Sequence, residues 1–269
     1  KNKYSKKYKK IKILPIINHI ILSNKKKFLI GGSQGIGKSS MIIIIKNTIE
    51  KFTKKRVLSL SLDDYYLSKN ERKNLAKNVH ELLLTRGVPG THNIKRLIED
   101  IKKFERNKYP IITPFFDKLT DSKLKKKNKI NKKCDLLILE GWCCGCNYID
   151  NNYLYKNINF IEIKYDKDFK WRNFYNKKLK NDYKNLFNLF DEKIFLKAPS
   201  FKFVLEWRKK QEKLNSSLSA KAKKMNSEEI KIFIQHYEKI TRWMMKTMPA
   251  YADILIKIDK NQKIKKVII

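Results

Sequence analysis

The chain has 269 residues, of which 42% are hydrophobic and 63 are Lys or Arg against 26 Asp or Glu, giving a formal net charge of +37. That length suits one large α/β domain or two small ones, and the apolar content is enough for a real core, which excludes a disordered basic tail. The charge alone suggests a nucleic-acid or anionic-membrane partner, but eight of the 63 basic residues are Arg and the lysines are scattered through a chain rich in Ile and Asn. Arginine is the preferred reader of phosphates and bases, so the excess reads as a solvated lysine surface that attracts anionic substrates, and no nucleic-acid partner is expected.

In chain order, residues 11–23 read as a leading helix. The run Ile11 to Ile30 is broken by Asn18, His19 and Lys25 to Lys27, well short of the roughly 18 apolar residues of a membrane span. No signal peptide is apparent, so a cytoplasmic protein with no membrane partner is expected.

Phe28 to Ser40 reads FLIGGSQGIGKSS: an apolar strand, a glycine-rich turn and the start of a helix. Gly32, Ser33, Gln34, Gly35, Ile36, Gly37, Lys38 and Ser39 match the P-loop pattern in full, and Ser40 follows. Such a loop turns backbone N–H groups toward an anion at a helix N-terminus. Lys38 then reaches the β- and γ-phosphates of ATP, and the Ser39 hydroxyl ligates Mg2+.

The helix from Lys38 runs to about Phe52, and Arg56 to Leu62 is a second strand ending on Asp63 and Asp64. Ser68 to His80 reads as helix, Arg86 to Asn93 as a loop, and Asn93 as the cap of a helix whose Ile94, Leu97, Ile98, Ile101 and Phe104 share one face. Lys123 to Lys133 is lysine-rich and exposed. Asp135 to Glu140 is the clearest buried strand, residues 167–190 are helical in two pieces, and Lys193 to Lys197 is a fourth strand. Pro199 and Ser200 open another helix. A long helix from Ser227 stops at Pro249, and Asp253 to Ile258 is the last strand. Cys134, Cys143, Cys144 and Cys146 lack a second paired cluster or nearby histidines, and read as free thiols. His19, His80 and His236 read as structural or surface residues.

This alternation argues for one parallel, five-stranded sheet covered by helices on both faces. The P-loop, Asp63 and Glu140 end three different strands, on the edge where such sheets hold ligands. Asp64 reads equally well as a turn former.

Several stretches together resemble the plant-type D-glycerate 3-kinases and their bacterial and fungal relatives, within the P-loop superfamily of uridine kinase, phosphoribulokinase and pantothenate kinase. They are Gly32 to Ser39, SLDDYYL (61–67), RGVPGTHN (86–93), PFFDKLTDSK (114–123), LILEGW (137–142), APSFKFVLEWRKKQE (198–212) and QHYEKITRWMMKTMPAYAD (235–253). The resemblance implies a single kinase domain over 1–269, with acceptor-binding and lid insertions at about 65–133 and 198–225. It implies Asp63 as general base toward the acceptor hydroxyl and Glu140 as the acid that orients Mg2+. Arg208, on a lid-helix stripe with Phe201, Val204 and Leu205, is expected to point inward toward the transferring phosphoryl group. Arg86, His92, Asp117, Lys118 and Lys123 fall in acceptor-binding segments. Asn93 stands where the family has Asp, and Lys123 where it has Arg; lysine cannot hold a carboxylate bidentately. The implied reaction is phosphoryl transfer from MgATP to the primary hydroxyl of D-glycerate. A nucleoside or pantothenate-like acceptor is the near alternative. A nucleotide-binding regulatory protein with a basic docking face is the alternative of another class. Oligomeric state is not legible.

Overall fold

The computed structural model describes residues 6–218 and 225–269, with 6–11 and 213–218 as backbone only. Helix α1 (Lys6–Leu22) leads into β1 (Lys27–Gly32), α2 (Lys38–Phe52) and β2 (Val57–Ser61), and a 3-10 turn (Leu62–Tyr65) follows. Next come α3 (Lys69–Asn78), α4 (Ile94–Glu105), β3 (Ile111–Thr113), β4 (Phe116–Asp117), β5 (Ser122–Lys123), β6 (Asn128–Ile130) and β7 (Leu136–Gly141). After β7 the chain forms α5 (Asn151–Leu154), α6 (Phe160–Tyr165), α7 (Lys170–Lys178), a π turn (Leu179–Tyr183), α8 (Lys184–Phe187) and β8 (Glu192–Lys197). It closes with α9 (Phe201–Leu218), α10 (Ser227–Thr247), β9 (Ile254–Ile258) and β10 (Ile264–Ile268).

The main sheet has the order β10-β9-β8-β1-β7-β2. Its five strands from β9 to β2 are parallel, and β10 is added antiparallel to β9 at the edge. The sheet therefore has six strands rather than five. Lysines mask the strand pattern of the terminal segment, although apolar runs on both sides of Asp259–Gln262 are a hairpin signal. The lysine-rich segment is largely exposed, as its composition dictates, yet β6 within it pairs with β3. The helical stretch at 167–190 is likewise joined through the π turn rather than broken in two.

Central strands bury both faces. Every residue of β7 is buried and all of β1 except Lys27, which is why they read as continuous apolar runs. In α1, Ile13, Ile16, Ile17 and Ile20 lie at helical spacing and are buried; this helix packs on α2 and β10. Residues of α2 (Met41, Ile42, Ile45, Ile49) and α4 (Leu97, Ile101, Phe104) supply further core. The ends of α3 and α4 are fixed locally: Ser68 and Glu71 form a reciprocal capping box, and Asn93 Oδ1 accepts the Arg96 N–H. No helix among the described residues is long and apolar enough to cross a membrane.

Candidate active site

The chain leaves β1 at its carboxyl end and turns through the P-loop into α2. Gly35 and Gly37 adopt positive φ (71° and 105°), which side-chain-bearing residues resist. A Cβ on Gly35 would also meet Trp207 of α9 at 3.0 Å. The loop is braced from the other side: the Gln262 amide, in the turn between β9 and β10, donates to Gly35 O, and the Trp207 indole donates to Lys260 O at 3.2 Å. The antiparallel hairpin that the sequence hid thus supports the phosphate loop.

Lys38 is buried and donates to Gly32 O (2.7 Å) and Ser33 O (3.1 Å), so its ammonium sits inside the loop. Burial lowers its pKa, opposed by the charges of Glu140 and Asp63. Glu140 is buried near the end of β7; its Oε1 accepts from Ser39 (3.0 Å) and Ser61 (3.1 Å). Adjacent hydroxyl and carboxylate oxygens beside a phosphate loop are the hard-donor set that suits Mg2+. The Ser33 hydroxyl and both polar atoms of the Gln34 amide are buried without partners among the described residues, an arrangement that suits a polar ligand in the loop.

Asp63 follows β2 on the same edge. The Tyr66 hydroxyl donates to its Oδ1 at 2.8 Å and Lys118 Nζ to its Oδ2 at 2.5 Å. Burial raises the pKa of Asp63, but Lys118, by charge and hydrogen bond, and Tyr66 outweigh burial and hold the carboxyl well below its usual range. Asp64 turns away: its Oδ1 accepts the Phe116 N–H at 3.3 Å, joining the two segments as a turn former does.

Arg86 to Asn93 packs against residues 65–67. Leu67 N–H donates to Thr91 O, Asn93 N–H donates to Tyr65 O, and Tyr66 and His92 stack with ring centroids 4.4 Å apart. Two residues from other elements pin the loop: the Trp142 indole donates to Gly87 O (2.9 Å), and the Tyr237 hydroxyl donates to Arg86 O (2.6 Å).

Of the expected acceptor residues, His92 and Lys118 stand around Asp63 and Tyr66. Arg86 is next to them but engaged: its Nη1 pairs with Asp121 at 2.6 Å and its Nη2 donates to Lys118 O. Asp117 turns into its own hairpin, accepting from Leu119 N–H and the Thr120 hydroxyl. Lys123 pairs with Glu71 at 2.9 Å. Arg208 points inward over the Phe233 ring (5.3 Å), pairs with Glu212 (2.9 Å), and leaves a buried Nε without a partner among the described residues. Tyr66, Asp121, Tyr183, Trp207 and Tyr237 are site-building residues that sequence reasoning did not single out. For Tyr66 and Tyr237 the signal was their place inside the quoted motifs. The four cysteines are free and buried, and burial pushes the thiols of Cys143, Cys144 and Cys146 upward.

No protein-family model matches the chain. It is 29% identical over 247 residues to the uncharacterized kinase mug58 of Schizosaccharomyces pombe, covering 84% of each chain. It is 27% identical over 259 residues to the probable ATP-dependent kinase TDA10 of Saccharomyces cerevisiae, covering 87% of this chain and 84% of that protein. Among solved structures, the D-glycerate 3-kinase from Cryptococcus neoformans var. grubii superposes with a TM-score of 0.76 at 19% identity, over 95% of this chain and 96% of that one. The phosphate loop and the mostly parallel sheet that carries it match the fold of P-loop kinases, and with these kinase relatives they make the chain an ATP-dependent kinase.

Proposed function

We propose that the chain acts as one catalytic domain that transfers the γ-phosphoryl group of ATP to the primary hydroxyl of D-glycerate, giving 3-phosphoglycerate. The observation that carries this reading is the Asp63 carboxylate held between Tyr66 and Lys118, on the same strand-end edge as Lys38 and Glu140. A carboxylate kept ionised is ready to accept the proton of an attacking hydroxyl. Beside it, the Lys118 ammonium and the Arg86 guanidinium, the latter shared with Asp121, offer a small hydroxy acid cations for its own carboxylate. A fungal D-glycerate 3-kinase shares this fold over 95% of the chain, which makes D-glycerate the first acceptor to test.

In this reading the P-loop backbone from Gly32 to Ser40 cradles the phosphates, and Lys38 holds the β- and γ-oxygens. Ser39 and Glu140 are the residues that would hold Mg2+, which supplies charge neutralisation on the phosphates when bound. Arg208 covers the transferring group from α9, and segments 65–133 and 198–225 serve as acceptor-binding and lid insertions; residues 219–224 of the latter lie outside the described residues. Positioning and charge stabilisation carry such transfers, and little covalent work falls to the protein.

The test is coupled ADP release with Mg2+ and ATP across D-glycerate, L-glycerate, uridine and pantothenate. Turnover with D-glycerate that falls by about 10²–10⁴ in Asp63→Asn, with nucleotide binding retained, is the expected result. Turnover with a different alcohol overturns the acceptor, and ATP binding without any acceptor-dependent turnover overturns the reaction.

A further inference from the structure

The hydrogen-bond network around His92 fixes more than its position. The Tyr183 hydroxyl lies 2.5 Å from His92 Nδ1 and accepts the Gly90 N–H at 3.2 Å. With the Gly90 N–H donating to its oxygen, the Tyr183 hydroxyl has no acceptor for its own proton among the described residues other than His92 Nδ1, which is therefore assigned as the acceptor. A neutral ring whose Nδ1 accepts carries its proton on Nε2. That Nε2, on the other side of the ring from Tyr183, is shielded from solvent and has no partner among the described residues. Only 5% of His92 is exposed, and burial holds its pKa down to about 3, against the opposing pull of Asp63.

A buried donor left bare is costly, and native structures rarely tolerate one without reason. The ring cannot turn away, because Tyr66 stacks on its face and Tyr183 meets it edge-on at 5.9 Å. Tyr66 also donates to Asp63, whose charge acts on the imidazole, so the ring that bears the bare nitrogen belongs to the same side-chain cluster as that carboxylate. Asp63 is not its partner: its two oxygens accept from Tyr66 and Lys118, and no hydrogen bond joins it to Nε2.

We infer that His92 presents Nε2–H as an uncharged donor to an oxygen of the acceptor, and that Tyr183 is the positioning residue that fixes this tautomer. The inference rests on the kinase reading above and deepens it. The contact selects a ligand oxygen, whether hydroxyl or carboxylate, over an amine or any other cation. The π turn is what brings Tyr183 to the imidazole, and such turns recur at functional sites.

The chain has four histidines, so imidazole ¹⁵N labelling followed by two-bond ¹H–¹⁵N correlation resolves them. Wild-type protein should show the Nε2–H pattern for His92, and its Nε2 resonance should move when the acceptor is added to the nucleotide complex. Tyr183→Phe should give mixed tautomers and raise the acceptor KM about tenfold while changing kcat far less. An Nδ1–H pattern in the wild type, or an Nε2 resonance indifferent to an acceptor that is turned over, overturns the inference. So does a Tyr183→Phe protein with unchanged tautomer and KM. Should that variant fail to fold, His92→Gln, which keeps an N–H near the Nε2 position, is compared with His92→Leu. Gln should stay within a few-fold of wild-type KM and Leu should not, and equal losses overturn the inference. If uridine or pantothenate replaces D-glycerate as the active alcohol, the same spectra are read with that alcohol, so the acceptor reading fails separately. If none of the tested alcohols is an acceptor, both fall.

Discussion

Lys118 Nζ stands 2.5 Å from Asp63 Oδ2, an exposed cation reaching a carboxylate 55 residues away along the chain. Burial alone would raise the carboxyl's pKa; Lys118, with Tyr66 and His92, more than reverses that. Replacing Lys118 by Met therefore leaves burial to dominate, with Tyr66 and His92 as the remaining counterweights. The acid limb of the kcat/KM profile for ADP release should move upward by about 1–3 pH units. An unmoved acid limb would show that Asp63 is not the group whose ionisation limits the reaction.

Glu140 binds two hydroxyls through one oxygen, from Ser39 and Ser61. Glu140→Gln keeps that shape and removes the charge. The Mg2+ concentration for half-maximal activity should rise by about 10–100-fold, while the thermal midpoint changes little. A magnesium requirement equal to that of the wild type would remove Glu140 from the metal's surroundings.

Asp64 gives a pH-dependent stability effect of known sign. Burial raises its pKa from 3.8 to about 6, reinforced by Asp63 and offset in part by the Phe116 N–H. Between those values the folded state keeps a proton that the unfolded chain releases, so the stability it contributes declines as pH rises through that window. Asp64→Asn retains an oxygen for Phe116 and carries no charge. Its thermal midpoint should match the wild type below pH 4 and exceed it above pH 6, by about 2–4 °C for each kcal/mol of relieved strain on the charge. Scans at the two pH values decide the matter, and a constant difference would refute it.

Arg172 forms the most deeply buried charge cluster among the described residues. Its Nε lies 2.6 Å from Asp166 Oδ2 and its Nη1 3.8 Å from Glu162, all three side chains being inaccessible to solvent. Arg172→Met strands two carboxylates, of which Lys239 at 3.3 Å can answer for Glu162 alone. A loss of about 3–5 kcal/mol in urea unfolding is expected; a loss under about 1 kcal/mol would mean that the carboxylates take up protons without cost.

The P-loop and the three strands that converge on it were legible because their constraints are local. Glycines must turn the backbone, apolar runs must fill a sheet buried on both faces, and acids must follow them. Asn93 and Ser68 declared their helices for the same reason. What could not be read depends on residues far apart in sequence. His92 and Tyr183 are separated by 91 positions, and Tyr183 reaches the ring only because a π turn resets the helix register. Likewise Asp121, at the turn of a four-residue ladder too short to announce itself, takes both Arg72 and Arg86 at 2.6 Å. The sequence places Arg86 in an acceptor-binding segment by resemblance, and in the fold Asp121 shares it.

One turn of α10 carries two of these attachments. Phe233 lies beneath the Arg208 guanidinium of α9, and Tyr237, four residues on, holds Arg86 O; their rings are 5.2 Å apart. Helix α9 and the loop beside Asp63 are therefore both attached to a single turn of α10. A ligand that shifted α9 would load the same turn that anchors the loop. By reciprocity, whatever factor one substrate adds to the affinity of the other through this turn must be returned in full.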